Sequence, residues 1–93
     1  MSFNIYDVIA DTGKRFRNYR RALKISQYQL HVKTGVSMFT ISNFENGKGQ
    51  GISLSHFLLL LNALDLTDVF ADIVPEIPSV DPEKIWKSNN KNE

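Results

Sequence analysis

"SQYQLHVKTGVSMFTISNFENG", residues 26–47, carries two short runs of mixed polar and apolar residues, each led by serine, on either side of Gly35. Serine is a favoured helix N-cap because its hydroxyl accepts a hydrogen bond from a backbone N–H left over in the first turn. Ser26 therefore predicts a helix reaching about Thr34, with Leu30 turned inward. Gly35 can adopt the positive φ that closes such a helix in a tight turn. Ser37 then starts another, which buries Ile41 and Phe44 and ends at Asn46-Gly47. Two short helices joined by three or four residues that include a glycine make a helix-turn-helix.

The flanks extend the pattern. Upstream, Ile5, Val8, Ile9, Phe16, Tyr19 and Leu23 recur at helical spacing behind Asn4, a further cap. Gly13 weakens this helix without ending it. Downstream, "GKGQG" reads as a loop, Ser53 caps a helix over "LSHFLLLLNAL", and "LTDVFADI" reads as a short fifth helix. No alternating strand pattern competes, so the expected fold class is all-α with five helices.

With 93 residues the chain suits a single domain, too small to split between a substrate domain and a cofactor domain. It is 42% hydrophobic and 23% charged, an ordinary soluble composition. There is no cysteine, which excludes disulfides and thiolate metal sites and fits a reducing cytoplasm. "MSFNIYDVIAD" lacks the features of a signal peptide, and the apolar run "FLLLL" is far too short to span a membrane.

The net charge of +1 conceals a segregation. Residues 12–50 carry eight Lys or Arg against one acid, Glu45, a local charge of +7, while the remainder holds three lysines and nine acids, or −6. A basic middle with acidic flanks is the footprint of a polyanion-binding surface. A merely solvated basic helix face is the other reading.

On these residues the chain resembles the phage-repressor and Cro type of DNA-binding protein, the xenobiotic-response-element family. The likeness covers roughly residues 12–66, from "FRNYRRALKISQ" through the quoted motif to "ISLSHFLLLLNALDL". It implies a sequence-specific transcriptional regulator, most simply a repressor that binds a palindromic operator as a homodimer. The last part is similar to antitoxin-like regulators of the Hip type, which implies an alternative: a protein-interaction module that neutralises a toxin.

Position by position, the resemblance implies base contacts from Ser37, Met38, Phe39 and Asn43, with Thr40 close to the backbone. It implies phosphate contacts from Arg17, Gln27, Asn46, Lys48 and Gln50. Arg20 and Glu45 fall where the family forms a partly buried salt bridge, a structural and not a catalytic role. Two departures stand out. His31 occupies a position that is usually Ala, where the motif helices meet, so a larger side chain must find room. Met38 and Phe39 replace the polar pair that usually reads bases. Apolar groups there suit thymine methyls and an A·T-rich operator; a protein-binding patch is the other reading.

Other chemistry is thin. His31 and His56 lack a third ligand, so no metal site is expected. "GKGQG" lacks the spacing of a nucleotide-binding loop. With no nucleophile–base pair or carboxylate dyad, neither catalytic residues nor a cofactor are expected, and the chain is not read as an enzyme.

The division expected is a DNA-binding domain over residues 1–74 and a tail over 75–93. Pro75, Pro78 and Pro82 favour an extended path. Asp81-Pro82-Glu83 suits the start of one helical turn carrying Ile85 and Trp86, and "SNNKNE" is expected to be disordered. Val80, Ile85 and Trp86 could pack on their own domain, on a sister subunit or on another partner. In the fourth helix, Leu54, Phe57, Leu58, Leu61 and Leu64 form an i, i+3, i+4, i+7 stripe for the core. Leu59 then points away and Leu60 flanks the stripe. With Val69, Phe70 and Trp86 they are expected to form a dimer or partner surface.

Overall fold

Side-chain caps start the helices. In the computed structural model, which describes residues 3–74, 76 and 81–90, α1 spans Ile5–Ala22, and Asn4 Oδ1 accepts from the N–H groups of Tyr6 and Asp7. Ser26 opens α2 (Gln27–Thr34) with a reciprocal capping box: its hydroxyl accepts from Gln29 N–H while Gln29 Oε1 accepts from Ser26 N–H. Ser37 and Ser53 cap α3 (Met38–Glu45) and α4 (Leu54–Ala63) by accepting from Thr40 and His56 N–H. Gly49–Gly51 forms a single 3-10 turn rather than an open loop. Thr67–Val69 forms another, continued by α5 (Phe70–Ile73), and α6 spans Pro82–Asn90. Every regular element among the described residues is helical.

Helix ends use left-handed residues. Around Lys24, at φ 59°, the N–H groups of Lys24 and Ile25 donate to the carbonyls of Arg21 and Arg20. The same pair of bonds recurs at the end of α3 around Gly47 (φ 84°) and at the end of α4 around Asp65 (φ 60°). These are Schellman closures, which satisfy carbonyls the helix leaves open.

Phe16, Leu30, Val36, Ile41, Phe44, Leu60, Leu61 and Leu64 make the buried core. The Phe44 ring meets Phe16 edge-on at 5.2 Å and Phe57 at 5.7 Å, pairs that contribute about 0.5–1.5 kcal/mol each beyond area burial. α1 packs on α3, and α2 packs on both α3 and α4. Gly13 allows the first contact: a Cβ there would lie 1.9 Å from the Phe44 carbonyl oxygen.

Several expectations are corrected. Leu60 does not flank the stripe at the surface but is fully buried, while Leu54 is exposed. The inward stripe is Phe57, Leu60, Leu61 and Leu64, so the i, i+3, i+4, i+7 pattern begins three residues later than expected. Five consecutive apolar residues satisfy both phases. Ile5, Val8, Tyr19 and Leu23 are also substantially exposed, because α1 packs along α3 through Gly13, Phe16 and Arg20 instead. Among the described residues there are six α-helices, not five. Asp81 Oδ1 accepts from the N–H groups of Glu83 and Lys84, and Pro82 takes the first helical position, so the expected turn grows to nine residues and includes Ser88, Asn89 and Asn90. The readings made on Pro75, Pro78, Val80 and residues 91–93 lie outside the described residues.

Candidate nucleic-acid interface

The helical repeat decides which side chains α3 turns outward. With Ile41 taken as the inward direction, Phe44 and Glu45 fall within about 60° of it, while Phe39 and Asn43 fall at about 160° and 200°. Burial agrees: Ile41, Phe44 and Glu45 are buried, and Phe39 is 74% exposed. Thr40 and Asn43 are half-buried, and Met38 is exposed to a lesser degree than Phe39.

Glu45 anchors this helix from beneath. It receives Arg20 Nε at 2.6 Å and Arg20 Nη2 at 2.8 Å, while Arg20 Nη1 donates to the Ile25 carbonyl at 2.7 Å. The carboxylate raises the Arg20 pKa, chiefly through these hydrogen bonds, against the opposing effect of burial. Gln27 Nε2 donates to Glu45 Oε1 at 3.1 Å, so the first residue of α2 holds the last residue of α3.

His31 finds room by bonding to the turn. Its Nδ1 lies 2.8 Å from the Val36 carbonyl oxygen. A carbonyl only accepts, so Nδ1 carries the proton. Thr34 supports the same turn, donating to the Leu30 carbonyl and accepting from Val36 N–H. Gly35 stands at φ 77° between them.

Two cavities flank α3. One, of about 210 Å³, is lined by Phe39, Thr40, Asn43 and Lys48 with Gly49, Gly51 and Ile52. The other, of about 310 Å³, is lined by Ala10, Lys14, Arg17, Glu45, Asn46 and Gly47. The structure thus gathers Phe39, Thr40, Asn43 and Lys48 at one opening and Arg17 with Asn46 at the other. Gln50 is exposed on the adjoining turn, and Ser37 sits at the head of the helix. Lys14 was not singled out in the sequence; its place one turn before Arg17 on α1 was the available signal.

A protein-family model described as helix-turn-helix matches residues 16–69, more than half of the chain and all of α2 and α3. The chain belongs to this helix-turn-helix family. It is a DNA-binding transcription regulator of the Cro/repressor type, and DNA is its partner. No curated protein and no solved structure gives a significant match.

Elsewhere on this helix-turn-helix protein, Leu59 is 43% exposed on α4, Phe70 is half-buried, and Trp86 on α6 is largely exposed. Among the described residues no cluster of His, Asp or Glu is arranged to hold a metal ion, and no helix is long and apolar enough to cross a membrane.

Proposed function

We propose that the protein is a transcriptional repressor that binds a palindromic operator as a homodimer and excludes polymerase from the promoter. The observation that carries this reading is the outward face of α3. Phe39 and Asn43 stand together there, opposite the buried Ile41, with Lys48 on one flank and Lys14 and Arg17 on the other. In this reading α3 lies in the major groove, with Ser37, Met38, Phe39 and Asn43 at base edges and Thr40 near the backbone. Arg17, Asn46, Lys48 and Gln50 bind phosphates along the rim, and Lys14 joins them. Gln27 keeps one amide hydrogen on Glu45 and offers the other to a phosphate.

Selection of bound sequences from a random DNA pool tests it. The expected result is enrichment of one inverted repeat whose half-sites lie about one helical turn apart. Recovery of no common sequence overturns it. A second reading, toxin neutralisation, draws support from the apolar pair Met38 and Phe39 at the front of α3. It expects no enriched operator and a stable complex with a toxin protein.

A further inference from the structure

The hydroxyls at the head of α3 are already engaged. Ser37 Oγ accepts from Thr40 N–H at 3.0 Å and donates to Thr40 Oγ1 at 3.0 Å. A hydroxyl has one proton to give, so the Ser37–Thr40 pair spends one of its two protons on this bond. Its neighbours Met38 and Phe39 bring no hydrogen-bonding side chain. Phe39 nevertheless stands 74% exposed, an aromatic ring held in water at the centre of the outward face. Asn43, one turn further on, is its i+4 neighbour, and both line the 210 Å³ cavity.

We infer that Phe39 is a specificity-determining residue that reads the C5-methyl group of a thymine, beside an adenine read by Asn43. The inference rests on the repressor reading above and deepens it. In the major groove, thymine alone among the four bases offers an apolar group, its C5-methyl. An exposed ring gains from covering that methyl and gains nothing from the cytosine edge, which presents an N4 donor that Phe39 cannot satisfy. Asn43 carries both a donor and an acceptor, the pair that adenine N7 and N6 require. The one proton left to the Ser37–Thr40 pair serves the DNA backbone. Phe39 and Asn43 therefore form one reading unit for a half-site with adjoining A·T pairs. The contact is to the methyl group itself and not to the Watson–Crick identity of the base.

Deoxyuridine pairs as thymidine does but lacks the methyl group, and this separates the two. The operator recovered from the random pool is resynthesised with each thymine replaced in turn by deoxyuridine, and affinity is measured for the wild type, Phe39→Ala and Met38→Ala. The expected result is about fourfold weaker wild-type binding at one thymine in each half-site, the effect of one methyl-sized group left in water. Phe39→Ala loses that sensitivity and Met38→Ala retains it. Phe39 lies outside the core, so circular dichroism of Phe39→Ala should match the wild type. Equal wild-type affinity for thymine and deoxyuridine at every position overturns the inference and leaves the repressor reading intact. So does a uracil sensitivity that disappears with Met38→Ala instead. A pool that yields no operator overturns the repressor reading and the inference with it.

Discussion

Arg20 and Glu45, 25 positions apart in the chain, meet as a bidentate ion pair between α1 and the last residue of α3, with side chains only 8% and 1% exposed. The pair does more than join two helices. Glu45 also receives Gln27 from α2, and Arg20 closes the turn after α1 through the Ile25 carbonyl. Glu45→Ala leaves a buried guanidinium without its counter-charge and is expected to cost about 3–5 kcal/mol, a large share of a small domain's stability. Urea unfolding followed by circular dichroism measures it. The raised Arg20 pKa sets the sign with pH: its contribution is intact below the ordinary arginine pKa and is lost only as pH rises through a still higher value. Asn43→Ala, which removes an outward side chain, should leave the unfolding midpoint nearly unchanged.

Gly13 and Gly51 should respond very differently to the same substitution. A Cβ on Gly13 meets the Phe44 carbonyl oxygen at 1.9 Å and the Phe44 carbonyl carbon at 3.0 Å, both backbone atoms that cannot swing aside. Gly13→Ala must push α1 away from α3 and should destabilise by about 1–3 kcal/mol, despite alanine's better helix propensity. Nothing lies within 4 Å of a Cβ on Gly51, and Gly51→Ala should change stability by no more than about 0.5 kcal/mol. Thermal melts of the two variants side by side check both.

The caps and the glycine turn were legible because serine, asparagine and glycine act within four residues of themselves, where sequence spacing is spatial distance. Asn4, Ser26, Ser37, Ser53 and Gly35 all take the local roles read from the chain. Tertiary choices were less legible. "FLLLL" supports two phases of one stripe, and packing against the rest of the core selects the one that buries Leu60. Ile5 and Val8 fit a helical pattern but have too little opposite them to become core. The clustering of Phe39, Asn43 and Lys48 round one cavity depends on the 3-10 turn at Gly49–Gly51, which read only as a loop.

Lys24 and Asp65 show a related blind spot, since both hold left-handed backbone without being glycine. Glycine marks the helix stop at Gly47 and marks neither of these two. Lys24→Gly keeps the closing bonds to Arg20 and Arg21, which use backbone atoms only, and relieves the strain. It is expected to stabilise the domain by up to about 1 kcal/mol, read as a higher melting temperature. A lower one would mean that the Lys24 side chain contributes more than the strain costs.

Salt dependence separates phosphate contacts from base contacts. With Lys14, Arg17 and Lys48 on the rim of α3, log affinity should fall linearly with log salt, by about 0.9 per neutralised phosphate. Lys48→Ala should weaken all DNA sequences about equally and reduce the slope by about one. Phe39→Ala should change sequence preference and leave the slope alone. Fluorescence anisotropy between about 50 and 200 mM salt measures both; a slope that Lys48→Ala does not alter would remove Lys48 from the phosphate set.

Dimerisation is the last expectation, and the correction at Leu60 sharpens it. Leu60 belongs to the core, so of the expected pair α4 leaves Leu59 outward, about 150° from the middle of the buried stripe. Val69 at the end of the second 3-10 turn, Ile73 on α5 and Val74 are exposed as well. Apolar residues exposed in this number between positions 59 and 74 suit an interaction face, since a large apolar patch is uncommon on a soluble monomer. A second copy suits the function better than another cover: one eight-residue reading helix spans few base pairs, and a two-fold dimer sets two of them about 34 Å apart on successive major grooves. Leu59→Glu puts a charge into that interface without touching the core. Sedimentation velocity should show a wild-type dimer and a Leu59→Glu monomer that keeps the wild-type helical circular dichroism, with operator binding by the variant much weakened. A wild type that remains monomeric at high micromolar concentration, both free and on operator DNA, would rule the dimer out.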